Sequence, residues 1–118
     1  MLVQHLKLRE RTKQFALRVL KLCDSLPKTD AARTIGRQLL RCGTSVAANY
    51  RAVGRARSKA EFIAKMGVVV EEADESLFWL ELLVEAGMVP QGRLDALIAE
   101  TNELLSIFVA SQRTARGR

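Results

Sequence analysis

The sequence predicts an all-α protein, an antiparallel up-and-down four-helix bundle, and three observations carry that prediction. Apolar residues recur at i, i+3 or i+4 through four long stretches, the period of a helix that buries one face. Helix stop and start signals separate those stretches: Leu26-Pro27, Ser58 three residues ahead of Glu61, and Gly87 followed by Pro90. No run alternates apolar and polar residues as a strand would, and the 118 residues suit a single domain, 1–118, with one core and short connections.

The first helix is predicted over residues 8–23, with Phe15, Val19 and Leu22 or Cys23 on one stripe. The start of the chain, Met1 to Arg11, is too charged for a signal-peptide core, and the sole histidine, His5, is assigned to a mobile N-terminus. Leu26-Pro27 ends this helix, and Thr29 or Asp30 caps a second over 31–52. That helix carries Ile35, Leu39, Cys42, Val46 and Asn49 on one side and Arg33, Arg37 and Arg41 at i, i+4 and i+8 on another. Like charges at that spacing repel by roughly 0.2–0.5 kcal/mol per pair, so an external anion or a facing acidic helix would relieve them. Small residues, Gly43, Ser45, Ala47 and Ala48, admit a close neighbour, and Asn49 is placed to hydrogen-bond there.

Ser58 and Glu61 form a capping box, the hydroxyl accepting from the N–H of residue 61 and the carboxylate reaching back to the N–H of residue 58. A third helix is predicted over 59–86, ended by Gly87 in the left-handed conformation. Ile63, Met66, Val70, Ala73, Leu77, Leu80 and Val84 keep a heptad seam, while Val69, Phe78, Trp79, Leu82 and Leu83 lie outside it. A helix apolar over so much of its circumference, in so small a domain, predicts contact with another chain, for which Phe78, Trp79 and Leu82 are the candidate oligomer interface. The last helix, predicted over 91–112 after Pro90, turns Leu94, Leu97, Ile98, Thr101, Leu104, Leu105 and Phe108 inward. A frayed basic tail, Arg113 to Arg118, follows.

Charge is distributed unevenly. Residues 1–65 hold 15 Lys/Arg against 4 Asp/Glu, a net +11, and residues 66–118 hold 4 against 9, a net −5, together the +6 of the chain. Such polarity serves either a basic surface for polyanions or complementary faces that bring subunits together. The plainer use, pairing within the subunit, is the commoner one for any single arginine. No apolar run is long enough to cross a bilayer, and we expect a cytoplasmic protein without membrane contact. Cys23 and Cys42 fall on apolar helix faces and read as core thiols rather than a disulfide framework.

Catalytic constellations are missing from this sequence. No Glu-x-x-His pair serves a bundle metal site, and Gly54-Arg55-Ala56-Arg57 lacks the lysine-serine ending of a phosphate-binding loop. The acidic run Glu71, Glu72, Asp74 and Glu75 reads as a solvated or docking face. We therefore expect no enzyme, no cofactor and no metal. Binding is the stronger reading, because Arg51, Arg55, Arg57 and Lys59 crowd a turn beside a helix N-terminus, where N–H groups and dipole also favour phosphate. Tyr50 is a candidate for stacking on a base, with core packing the commoner role. So few amides and aromatics stand near the arginines that contact with the phosphate backbone is expected, not readout of base edges.

The order of Leu26-Pro27, Gln38-Leu39-Leu40-Arg41, Thr44-Ser45-Val46-x-Ala48-Asn49, Arg57-Ser58-x-x-Glu61-Phe62 and Glu75-Ser76-Leu77-x-x-Leu80-Glu81 resembles the "four helix bundle protein" family. That family was first noticed as products of intervening sequences in bacterial large-subunit ribosomal RNA genes, and it includes the accessory variability protein of diversity-generating retroelements. The resemblance runs from about Phe15 to Ile107. It implies a homopentameric barrel and a positively charged assembly that engages nucleic acid, in retroelements together with a reverse transcriptase. Where many members read Asn-Ile-Ala-Glu-Gly, this chain has Asn49-Tyr50-Arg51-Ala52-Val53, so no role of that glutamate carries over.

Two functions are thus expected. The first is a non-catalytic, oligomeric accessory protein binding RNA or DNA, with Arg37, Arg41, Arg51, Arg55, Arg57 and Lys59 as phosphate contacts. The second is a protein adaptor or structural oligomer, for example a reverse transcriptase partner, whose arginines meet Glu71, Glu75 and Glu81 of neighbouring subunits.

Overall fold

The computed structural model describes residues 2–117 and contains, in chain order, α1 (Leu2–Asp24), α2 (Asp30–Val53), α3 (Lys59–Glu85) and α4 (Gln91–Ala115). Each helix packs along the next and α4 returns beside α1, giving an up-and-down bundle of 45 × 21 × 21 Å. Phe15 and Val19 of α1, Leu39 and Val46 of α2, Leu80 and Leu83 of α3, and Leu104 and Phe108 of α4 meet at the centre, all fully buried. The α1–α4 seam is the most open of the four. Polar bridges span it, Arg11 reaching Glu100 at 2.6 Å and Glu103 at 3.1 Å, and Arg93 donating to the Ser25 hydroxyl at 2.7 Å.

Local signals in the sequence end the helices as expected, with one exchange of partners. Thr29 accepts from the N–H of Ala32 at 3.2 Å and Ser58 from that of Glu61 at 3.0 Å. The Glu61 carboxylate, however, accepts from the N–H of Arg57 at 3.3 Å rather than from Ser58. Gly87 takes φ 73°, and the N–H groups of Gly87 and Met88 close on the carbonyls of Val84 and Leu83, each at 3.0 Å. This paired closure requires a left-handed residue, which glycine adopts at little cost. Pro90 stands one position before α4, extended at φ −60° and ψ 138°.

Three expectations need correction. First, α1 begins at Leu2, six residues early, because His5 stacks on Tyr50 with centroids 5.0 Å apart and Leu8 is buried, anchoring its opening turns against the end of α2. At the other terminus α4 runs three residues past the predicted end, Gln112 donating to the Ile63 carbonyl at 3.0 Å; Arg118 of the basic tail, like Met1, lies outside the described residues.

Second, the buried line of α3 is Met66, Val69, Ala73, Ser76, Leu80 and Leu83. Ile63, Val70, Leu77 and Val84 are only partly covered, whereas Val69 and Leu83, assigned outside the seam, are core. A helix apolar around most of its girth marks no unique stripe, and a serine at the centre disguised the true one. The Ser76 hydroxyl is satisfied by the Glu72 carbonyl at 2.8 Å and contacts Cys42 Sγ at 3.3 Å. Third, Asn49 turns back on its own helix, donating to the carbonyl and hydroxyl of Ser45. Close approach of α1 to α2 does occur at Gly43, one of the small residues expected to admit it, where a Cβ would lie 2.9 Å from Val19.

Candidate nucleic-acid interface

The α2–α3 connection is a hydrogen-bonded turn. After Val53, the N–H groups of Arg55 and Ala56 bond the carbonyls of Ala52 and Val53 at 3.0 and 3.1 Å, and Ser58 then restarts the chain as α3. Its foundation is rigid: Val53 and Tyr50 are buried, and the Tyr50 ring is sandwiched between His5 and Phe108, at 5.0 and 5.5 Å. A Cβ on Gly54 would collide with the His5 imidazole, so a larger residue there would displace that ring. Burial pushes the Tyr50 hydroxyl up from its ordinary pKa, and burial together with Arg9 lowers that of His5. Tyr50 is therefore a core residue, not a stacking surface.

On this foundation Arg51, Arg55, Arg57 and Lys59 are all exposed. The Arg57 side chain, 88% exposed, has Nε 3.5 Å from its neighbour Glu61. Glu61 also supplies a negative charge to the first turn of α3, so attraction of an anion here rests on side chains more than on the helix terminus. Arg41 is differently placed. Its guanidinium bridges Glu75 and, at 3.3 Å, Glu72, both on α3 of the same chain. The Glu75 hydrogen bond raises the Arg41 pKa; the Trp79 indole N–H, at 3.1 Å, and then Arg41 hold the Glu75 carboxyl below its usual range. A facing acidic helix, one of the two expected sources of relief, thus meets Arg41 of the arginine stripe, while Arg33 lies 3.8 Å from Asp30 of its own helix. Arg37 lies towards the opposite end of the bundle, beside a cleft of ≈ 310 Å³ bordered by Lys28, Arg33 and Cys23.

Arg9 and Lys13 are cations that sequence reasoning missed. They join Arg51 around an α1–α2 groove of ≈ 670 Å³ whose floor includes Thr44, Ala47 and Ala48. Both lie inside the stretch predicted as the first helix, 8–23, but only its apolar stripe was followed, not the polar face that lies beside α2. Of the candidate interface residues, Phe78 is 53% exposed and meets Trp79 edge-on at 4.9 Å, whereas Trp79 and Leu82 are partly buried against the core.

Both thiols are structural in setting. Cys42 is buried and Cys23 half-buried, donating weakly to the Gly36 carbonyl at 3.5 Å; burial raises both pKa values, that of Cys23 to about 11. Among the described residues no three His, Cys, Asp or Glu side chains cluster so as to hold a metal ion, and no helix is long and apolar enough to cross a membrane.

Comparison with known proteins agrees with this architecture. The family model described as 23S rRNA-intervening sequence protein matches residues 4–110. A crystal structure from Bacteroides thetaiotaomicron VPI-5482, described as a protein with unknown function from the S23 ribosomal protein family, is similar at a TM-score of 0.85 and 27% identity, covering 92% of this chain and 97% of that one. Among curated proteins nothing matches. With the family model matching residues 4–110 of its 118, the chain belongs to the 23S rRNA-intervening sequence protein family.

Proposed function

We propose that this chain is a non-catalytic, cytoplasmic, oligomeric accessory protein that binds RNA or DNA by phosphate contacts through the α2–α3 turn. The observation that carries the reading is a division among the cations. Arg41 is neutralised by Glu72 and Glu75, whereas Arg55 and Lys59 stand exposed on a rigid base with no carboxylate within ion-pair distance among the described residues. Arg57, paired only with Glu61, stands between them. Phosphates supply the missing counter-charge, and the burial of Tyr50 removes the nearest stacking surface, so binding follows the backbone with little sequence preference. Membership of a family named for a 23S rRNA-intervening sequence is in keeping with such a ligand.

Assembly multiplies this weak contact. A homopentamer, the state implied by the resemblance, presents one turn per subunit, and repeated sites on one polynucleotide raise avidity without any new contact. A reverse transcriptase is the protein partner implied in the same way. The adaptor reading draws on a separate observation, the exposure of Leu17, Leu20 and Phe78, which suits a protein partner. Salt separates the two readings. Anisotropy of a labelled generic polynucleotide should show affinity falling steeply with salt, with a log-log slope of about −0.7 to −0.9 per phosphate contact. Absence of binding at about 50 mM salt, where such contacts are strong, leaves the adaptor reading in its place.

A further inference from the structure

The outer ridges of α2 and α3 complement each other although they cannot meet within one chain. On α2, Arg37, Thr44 and Arg51 follow at seven-residue spacing, and on α3 Glu71, Phe78 and Glu85 do the same. Arg37, Arg51, Glu71 and Glu85 are exposed, and Phe78 is the most exposed large apolar side chain of α3. Each charged pair spans 14 residues, about 21 Å of axis at roughly 1.5 Å per residue. A seven-residue period also drifts by the same angle on both helices, so the three positions align together when one ridge lies along the other.

Shape agrees with charge at the midpoint. Beside Thr44, α2 presents the small side chains of Ala47 and Ala48, and with Leu6 and Lys13 of α1 they line the groove of ≈ 670 Å³. Arg9, Lys13 and Arg51 make this groove basic on balance; its one acid, Glu10, accepts from Gln14 at 2.8 Å. The α3 ridge is flanked by the exposed acids Asp74 and Glu81. We propose that the α1–α2 groove receives α3 of a second copy of this chain, with Phe78 seated over Thr44, Ala47 and Ala48 and Glu71 and Glu85 against Arg37 and Arg51.

The contact is heterologous, since each copy offers the groove on one face and the ridge on another, and repetition closes a ring or extends a filament according to the rotation per step. It gives a use to the separation of charge into a +11 and a −5 half of the chain. Arg37 and Arg51 are then occupied between subunits, while Arg55, Arg57 and Lys59 remain outside the contact. The docking rests on the oligomer reading and is independent of nucleic-acid binding.

Light scattering after size exclusion, at micromolar concentration and low salt, tests it. Arg37→Glu with Arg51→Glu, and separately Glu71→Arg with Glu85→Arg, should each reduce the mass to that of the 13.1 kDa chain with helix content unchanged by circular dichroism. The fourfold variant carrying both reversals should assemble again. Thr44→Trp, which fills the groove without altering charge, should also give a monomer. If wild type is assembled and both double reversals remain so, or if the fourfold variant stays monomeric, the docking is wrong. A monomeric wild type overturns the oligomer reading itself.

Discussion

Ser58 carries more of the local structure than its size suggests, because its hydroxyl takes the N–H of Glu61 at 3.0 Å and so fixes where the basic turn ends and α3 begins. Ser58→Ala should lower stability by about 1 kcal/mol, read as a fall in urea midpoint with the slope unchanged, while the oligomeric mass stays the same. An unaltered midpoint would show that α3 starts without this cap. Glu75 gives a pH signature. Its folded pKa lies below the ordinary 4.5, held down by Trp79 and Arg41, so its contribution is present above the unfolded pKa and lost as pH falls through the lowered value. Glu75→Gln should therefore destabilise the protein at neutral pH, and the gap between variant and wild type should close as acid titrates the wild-type carboxylate. A gap independent of pH would mean that the charge of Glu75 does not matter. Caps such as Thr29, Ser58 and Gly87 were legible because they act over three or four residues. Core packing was the commoner expectation for Tyr50, but its partners His5 and Phe108 were not legible, since they lie far away in sequence.

At the scale of the helix, legibility follows how sharply each apolar stripe is drawn. In α2 polar and apolar sides divide cleanly, and Ile35, Leu39, Cys42 and Val46 are buried as the spacing predicted. Long α3 offers several apolar stripes, and its phase is set by packing partners rather than by its own pattern. Gly43 shows such a partner at work: a methyl there would press on Val19, itself fully buried and stiff at its branch. Gly43→Ala gains about 1 kcal/mol of helix propensity but forces an overpacked contact that costs roughly 1–3 kcal/mol. Net destabilisation is expected in denaturant melts, with partial recovery when Val19→Ala is added. Stabilisation by Gly43→Ala alone would show that α1 and α2 have slack at this crossing. The cysteines belong to the same packing, and with Cys23 at about 11 both thiols should alkylate far more slowly at pH 8 in the folded protein than in denaturant. Equal rates would mean that the helix ends open freely.

For the molecule as a whole, the unequal charge of its two halves was visible in composition, but its allocation was not. The bundle lays Glu72 and Glu75 of α3 against Arg41 of α2, one of the candidate phosphate contacts, and gathers Arg51, Arg55, Arg57 and Lys59 at one end while Arg37 stays near the other. Periodicity names the face on which a residue stands; only the packed neighbours decide whether its charge is already met. What remains at the turn is a compact set of cations, which the proposed assembly would repeat once per subunit. The most direct measurement is the salt dependence of polynucleotide binding by wild type and by Arg55→Glu with Lys59→Glu, after light scattering has shown equal mass. Wild type should bind with a log-log slope of several units, each phosphate contact contributing about −0.7 to −0.9, and the variant should lose most of both affinity and slope. Equal binding and equal slope in the two proteins would contradict the assignment of nucleic-acid contact to this turn.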